Sequence, residues 1–498
     1  MPPMPEEILA DVARNLLRPH PPATLSLDRP AIRLPRPAVS HADWRGLSAV
    51  ALGALFRHLP VPDLLRLGYL FTPRWREVWR TYPLYLHDKQ FAGLPIPRSE
   101  VADAIANVLD EFLHGFQGEG EGVAEEEDLH LHRCGVTSFR VESTEWRPDH
   151  AARWCAALQR GGPSEVVLFN RGVAGQPPAL IAVPPLLLQC TTVSHLHLAF
   201  FTVEAGELDA LTRASELGLH GCACRPGVVE GVVAACSHLR MLWVQDCALD
   251  TVVVRAAPRL YRLSMLRTAS RSLTVDDAPK LSELLPGSTA ALSISGAPKL
   301  TSLLRFILPA TLDIDGVQIA VGREEMQPQM RSVSNLWLAL DYTALRGMGF
   351  DMVVRMVQQM LRRFPCLQFL TIERTDAVPR EEGMATRYDQ HAYYLTLDGG
   401  LDQCLHYLTL FDFRGGKAEL ELLMAIMDST RALWTVNLAY SSRRMGPQLW
   451  HATQEALAGL KLFTIVSNNH TLRNPLLVVT SMYTRQTAGY GWCRSHLF

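Results

Sequence analysis

From about residue 137 onward, hydrophobic positions fall into a recurring phrase, apolar-x-x-Leu-x-x-Leu-x-apolar, set between polar or proline-bearing turns. The clearest copies are Cys236-Ser-His-Leu239-Arg-Met-Leu242, Ala257-Pro-Arg-Leu260-Tyr-Arg-Leu263, Ala278-Pro-Lys-Leu281-Ser-Glu-Leu284 and Ala297-Pro-Lys-Leu300-Thr-Ser-Leu303. Their first leucines step by 21, 21 and 19 residues. Looser copies stand at Val193-Ser-His-Leu196-His-Leu198, Val333-Ser-Asn-Leu336-Trp-Leu338 and Phe364-Pro-Cys-Leu367-Gln-Phe-Leu370-Thr-Ile372. Each Leu-x-apolar run predicts a short strand whose side chains alternate between two faces. Leu242, Leu263, Leu284 and Leu303 share one repeat position and are expected to stack in one interior column. Pro258, Pro279 and Pro298 are expected on the turn before each strand, where a missing amide does no harm. The stretch 239–303 leaves room for little more than turns between strands. The stretch 351–363 is expected to hold a helix, with Val353, Met356, Val357, Met360 and Leu361 at helical spacing.

A period of 20–29 residues with Leu-x-Leu strands is the signature of a leucine-rich repeat, whose units share one continuous core because none can bury its apolar face alone. Outward side chains of the strands would line a concave surface. His195, His197, Ser264, Thr274 and Ser293 are the candidates there for contact with a target.

Residues 43–91 are patterned differently, with three leucine-dense helical stretches. On a helical wheel over 47–59, Leu47, Val50, Leu52, Leu55, Phe56 and Leu59 cover well over half the circumference, more than one buried stripe requires. Pro60 ends this helix. Pro62 and Asp63 start a second, carrying Leu64, Leu65, Leu67 and Leu70. Thr72 and Pro73 start a third, with Trp75, Val78 and Trp79 on one side. A unit this small, without a disulfide or metal pattern, has a core worth no more than ~3–5 kcal/mol. Its excess apolar surface must dock either on the repeats or on another protein.

Composition narrows the function. The 498 residues carry 48 basic and 50 acidic side chains, for a net charge of −2. This balance implies no pull toward nucleic acid or an anionic membrane. No signal peptide or bilayer-spanning run is expected, and the ten scattered cysteines fit a reducing compartment, cytoplasmic or nuclear. Residues 1–40 are proline-rich and expected to form an extended, mobile arm. Residues 93–136 are expected to be a helical linker with an acidic, cleavable loop at 115–128.

The segment 41–92 resembles the F-box. Leu47, Leu52, Leu55, Leu59, Pro60, Asp63, Arg66, Leu70, Arg74, Trp75, Arg76 and Trp79 sit where that pattern wants them. Two places depart from it: Ser48 replaces a proline, and Phe71-Thr72-Pro73 interrupts the usual Leu-Ser before Arg-Trp-Arg. The rest of the chain is similar to the grass F-box/leucine-rich-repeat family with a C-terminal FBD region, and the order of that family's phrases is kept. Ala152-Arg-Trp154 leads to Glu165-Val-Val-Leu168, then to Leu187-Leu-Gln-Cys190 and to Phe364-Pro-Cys-Leu367. The stretch from Leu408 to Leu422 looks like the FBD strand, turn and helix.

The resemblance implies an α/β fold: a three-helix F-box, then a leucine-rich-repeat solenoid over 137–400 with parallel strands and an irregular and helical convex side. An FBD-like end at 401–466 and a tail or cap at 467–498 would follow. It implies a substrate-recognition subunit of a Skp–cullin–F-box ubiquitin ligase that does no bond chemistry and takes no cofactor. The Skp adaptor, and through it cullin, would bind Leu47, Leu52, Leu55, Phe56, Leu59, Pro60, Leu64, Leu67, Leu70 and Trp75. The alternative is a repeat scaffold whose divergent F-box does not engage the ligase.

Other motifs point to ordinary structure. His130, His132 and Cys134 alternate on one expected strand face without a fourth metal ligand nearby. Cys222, Cys224, Cys236 and Cys247 lack zinc-ribbon spacing. Gly415-Gly416-Lys417 lacks the remainder of a phosphate loop. Arg74, Arg76 and Arg80 read as a solvated helix face.

Overall fold

A computed structural model describes residues 59–64, 83–92, 94, 96–114, 135–171, 178–319, 329–341, 344–347, 350–375, 401–413, 417–430, 432–440 and 476–481. The chain divides into two compact units, Met1–Leu239 and Arg240–Phe498.

In the first unit, parallel strands β1 (Leu84–His87), β2 (Val136–Val141), β3 (Glu165–Phe169), β5 (His195–Ala199) and β7 (Glu216–His220) lie side by side in chain order. Three short strands, β4 (Ile181–Ala182), β6 (Phe201–Val203) and β8 (Ala223–Cys224), form a second parallel ladder. Helices fill the returns: α1 (Val101–His114), α2 (Pro148–Gly161), α3 (Pro185–Leu188) and α4 (Val228–Ala235).

The sheet thus begins at Leu84, well before the first repeat phrase in the sequence. The helix expected as a linker packs as part of the repeat array. Trp154 on α2 is fully buried, and its indole N–H donates to the Ala102 carbonyl on α1 at 3.2 Å. Asp88, just after β1, is also buried. Its Oδ2 accepts from the backbone amides and hydroxyls of Ser143 and Thr144 and from the Glu142 amide, at 2.6–3.1 Å. A carboxylate holding that many donors fixes the loop after β2 to the end of β1.

The second unit continues the pattern with β9 (Met241–Gln245), β11 (Arg262–Leu266), β13 (Glu283–Leu285), β15 (Ser302–Leu308), β18 (Asn335–Leu340), β19 (Phe369–Arg374), β20 (Tyr407–Phe411), β21 (Thr435–Tyr440) and β22 (Leu476–Ser481). All pair in parallel with their neighbours. The expected column is present: Leu242 pairs with Leu263, Leu263 with Leu284, and Leu284 with Leu303. It runs on through Leu336, Leu370, Leu408 and Val436, all buried. Strand β22 lies in the segment expected to be a tail.

The turns before these strands follow from sequence. In each Ala-Pro-x-Leu, proline sets the first turn dihedral. The leucine amide returns to the alanine carbonyl: Leu260 to Ala257 at 3.3 Å, Leu281 to Ala278 at 3.0 Å and Leu300 to Ala297 at 3.2 Å.

The returns in 241–319 differ from expectation. They are strands, not bare turns: β10 (Thr251–Arg255), β12 (Ala269–Asp276), β14 (Ser288–Ser295) and β16 (Thr311–Ile314) form a second parallel ladder. Val252, Leu273, Leu292 and Leu312 pair in register and are buried. A residue with positive φ turns the chain directly after each of these strands: Ala256, Asp277, Gly296 and Asp315 at 51°, 57°, 62° and 51°. The antiparallel strand β17 (Val317–Ile319), folded back over Asp315 and Gly316, closes this ladder.

Beyond it the returns become helical. Helix α5 (Phe350–Arg362) precedes β19, and α7 (Lys417–Ser429) follows β20 and the short α6 (Leu401–Cys404). Val353, Val357, Met360 and Leu361 are buried on α5, with Met356 half-buried. Strand β20 and helix α7 are the strand and helix expected between Leu408 and Leu422.

Candidate functional site

Outward residues of the strands, those facing away from the leucine column, are the surface available for recognition. In the first unit these positions are polar yet enclosed. Arg140 on β2 donates to Glu165 Oε1 on β3 at 2.6 Å, and the Ser138 hydroxyl donates to Glu165 Oε2 at 2.6 Å. Burial alone would raise the Glu165 pKa, but the Ser138 hydrogen bond and the Arg140 charge more than offset it, so it lies below the usual carboxylate range. His195 is half-buried and pairs in register with Glu165 and Glu216.

His197 is buried at 2% exposure. Its Nε2 lies 3.1 Å from Glu216 Oε1, and its Nδ1 lies 3.1 Å from His220 Nε2. The two imidazoles stack nearly parallel, with centroids 5.4 Å apart. Gly218, opposite His197, makes this possible, because a Cβ there would come within 2.2 Å of His197 Nδ1. His197 is therefore an interior hydrogen-bonding group, not the concave-face contact residue expected.

In the second unit the outward face changes character. Trp243 on β9 lies under the Arg262 guanidinium, 5.3 Å from its ring centroid, and Arg262 pairs with Glu283 on β13. Ser264 lies beside Trp243 and is 3% exposed. Farther along, aromatic side chains gather. Phe369 and Tyr407 stack at 4.8 Å, Trp434 meets Tyr407 edge-on at 5.9 Å, and His406 stacks on Trp434 at 4.2 Å. Trp337 and Phe411 approach to 6.2 Å. Trp434 is 51% exposed and Tyr407 36% exposed. Between these groups Arg305 reaches over the small Ala339 to Glu373, at 2.9 Å. Clustered, exposed Tyr and Trp are the side chains that most often anchor protein contacts. Reading one repeat at a time did not bring them together, because 27 residues separate Tyr407 from Trp434 in the sequence.

The other candidates fall elsewhere. Thr274 on β12 and Ser293 on β14 pair with each other on the second ladder. They do not share a sheet with Ser264, contrary to expectation, because the return between strands is itself a strand. Of the adaptor-facing candidates, Leu47, Leu52, Leu55, Phe56, Leu67, Leu70 and Trp75 lie outside the described residues. Leu59 is 6% exposed and Leu64 is 1% exposed; Pro60 is half-buried, and residues 61–64 are helical.

No three His, Cys, Asp or Glu side chains among the described residues are placed to hold a metal ion. His130, His132 and Cys134 lie outside the described residues. Cys222, Cys236 and Cys247 are buried thiols that donate to backbone carbonyls, and burial pushes Cys236 up to about 11. No helix among the described residues is long and apolar enough to cross a membrane.

The repeated strand, the continuous leucine column and the parallel ladders define a leucine-rich-repeat solenoid. Residues 151–372 match a family model described as the leucine-rich repeats of the FBD-associated F-box protein At5g56370. The repeats are therefore similar to those of plant F-box-associated proteins, which are interaction modules. No curated protein sequence matches the chain. Among solved structures, the plant peptide hormone receptor RGFR1 in complex with RGF2 aligns at 10% identity over 70% of this chain, with a TM-score of 0.30. This chain spans about half of that receptor, 52% of its length. The Leptospira interrogans leucine-rich-repeat protein LIC12759 aligns at 12% identity over 66% of this chain and 84% of its own, with a TM-score of 0.31.

Proposed function

We propose that the chain is the substrate-recognition subunit of a Skp–cullin–F-box ubiquitin ligase. The observation that carries this reading is the match of residues 151–372 to the repeats of an F-box-associated protein, downstream of a segment, 41–92, that itself resembles the F-box. In this reading Leu47, Leu52, Leu55 and Phe56 dock on a Skp-type adaptor, through which cullin is recruited. Leu59 and Leu64 contribute packing inside the chain, since they are already buried. The outward face of β18 to β20, with Trp337, Phe369, Tyr407 and Phe411, together with Trp434 just before β21, binds the target. The protein makes and breaks no bonds; it raises the local concentration of its target near the ubiquitin-charged partner.

Co-purification with a Skp adaptor is the test. The wild-type chain is expected to retain the adaptor and Leu55→Asp to release it, since a carboxylate in a desolvated contact costs several kcal/mol. Circular dichroism should show the variant still folded. Failure of the wild-type chain to capture any Skp adaptor would favour the other reading, a repeat scaffold in which Ser48, standing where the F-box has proline, marks a lost contact.

A further inference from the structure

The cysteines among the described residues are all free thiols, and burial keeps most of them inert. Cys155, Cys190, Cys222, Cys236 and Cys247 are buried. Burial pushes Cys155 up to about 12 and Cys190, like Cys236, up to about 11. A thiol that keeps its proton is a poor nucleophile. Three others reach solvent: Cys366 is exposed, and Cys224 and Cys404 are half-buried.

Two of these three hold the same place in neighbouring repeats. Phe369 on β19 and Tyr407 on β20 are register partners. Cys366 and Cys404 each stand three residues before one of them, in the turns that enter the two strands. In the earlier repeats this place, the variable residue of Ala-Pro-x-Leu, holds Arg259, Lys280 and Lys299. The equivalence extends into the turns. The amides of His406 and Tyr407 both donate to the Gln368 carbonyl at 3.0 Å, just as those of Tyr261 and Arg262 donate to Arg240. Leu367 and Leu405, directly after the two cysteines, are both fully buried. The Phe369 and Tyr407 rings stack at 4.8 Å and within 4° of parallel. Equivalent side chains of these two repeats therefore run side by side at about one strand spacing. A backbone separation of that size, ~4.8 Å, lies inside the window of about 4.4–6.8 Å that a disulfide requires. Cys224 has no such neighbour, since its strand partner is Val203.

We propose that Cys366 and Cys404 form a dithiol modification site, which a low-molecular-weight disulfide of the glutathione class converts to a disulfide between neighbouring repeats. The exposed Cys366 thiolate attacks one sulfur of the small disulfide, breaks its S–S bond and releases one thiol. The Cys404 thiolate then attacks Cys366 Sγ and releases the second thiol. The two protein thiols give up two electrons and two protons, and the small disulfide takes them up. The new bond spans 38 residues of chain and ties together the turns just before the stacked Phe369 and Tyr407. Because one partner is exposed, excess reduced thiol reverses it. The site stands independently of the ligase reading.

The full chain is incubated with glutathione disulfide, its remaining thiols are alkylated, and the digest is read by mass spectrometry. A peptide linked through Cys366 and Cys404 is expected to exceed every other pairing by about tenfold or more, because only these two thiols are held side by side. Dithiothreitol should abolish it. In Cys404→Ser, Cys366 is expected to stop at the glutathione adduct, as Cys224 does in the wild-type chain. Separate glutathione adducts that persist on Cys366 and Cys404 of the folded wild-type chain would overturn the proposal. So would an equal yield of the linked peptide from the chain unfolded in guanidinium, which would mean that chance encounter, not the register of the repeats, joins the two thiols.

Discussion

Two stretches of the second unit solve one problem in different ways. In 241–319 the chain returns between strands as another strand; in 335–440 the described returns are helical. The inward leucines Leu242, Leu263, Leu284 and Leu303 are 21, 21 and 19 residues apart, whereas Leu336, Leu370 and Leu408 are 34 and 38 apart. A helix advances 1.5 Å per residue and a strand about 3.3 Å, so a short return covers the same span only when extended. Side chains agree with length. The second-ladder strands read Thr-Val-Val-Val, Ser-Leu-Thr-Val and Ala-Leu-Ser-Ile, with branched and small residues, while α5 and α7 are rich in Met, Leu, Gln and Glu. The leucine column is common to both stretches; spacing and local propensity decide what backs it.

The largest expected effect tests the column. Leu263→Ala should cost about 2–5 kcal/mol, because flanking leucines held in register cannot collapse into the cavity. Hydrogen exchange should rise most in β9, β11 and β13 and little in α5 or β19. Uniform loss across the unit would show that the two stretches are not separable.

Proline sharpens the contrast. Gln358→Pro in the middle of α5 should cost about 3 kcal/mol or more and loosen mainly its own repeat. Thr274→Pro in β12 interrupts a strand paired on both sides, to β10 and β14. Its exchange signature should spread to both neighbours.

Acid reaches a different part of the chain. Burial would raise the Glu142 pKa, but His87 and Lys89 beside it more than offset this and hold it at about 2. A carboxylate with a lowered folded-state pKa contributes stability that is fully present above its unfolded value, near 4.5, and is lost as pH falls toward 2. The amount is on the order of 3 kcal/mol. Glu165, also lowered, adds in the same direction. Amides of β1 to β3 should therefore lose protection between pH 4.5 and 2, and His87→Ala should move that loss to higher pH.

The smallest effect has opposite sign in the two stretches. Ala256 turns the corner after β10 at a φ of 51°, where a Cβ is strained, so Ala256→Gly should stabilise by about 1 kcal/mol. Ala425→Gly inside α7 should destabilise by about the same amount. Thermal melts of the two variants decide it; a shared sign would remove the distinction.

Much of this was legible in the sequence. The Ala-Pro-x-Leu phrase carries the turn, the strand that follows and its register, because all are fixed within seven residues. The helix at α5 was legible from its periodicity. The second ladder was not, because four-residue runs such as Ser272-Leu-Thr-Val sit between stronger leucine signals and carry no turn chemistry of their own. Local pattern alone therefore groups Thr274 and Ser293 with Ser264. Alternation gives the side of a strand but not what encloses it, so the enclosure of His197 is legible only through Gly218 in the next repeat. The aromatic group around Tyr407 and Trp434 depends on the register of distant strands, which no local pattern states.

The hairpin of β16 and β17 has a consequence for how the chain behaves among its own copies. A parallel ladder left open at its last strand would offer a row of free amides and carbonyls to any passing strand, and four-residue Thr-Leu-Asp-Ile is sticky enough to use them. Turning back over Asp315 and Gly316 covers that row with only three residues, Val317 to Ile319. An edge so short, beginning immediately after a tight turn, is a poor template. Deleting 315–319 would convert this margin into a site of self-association.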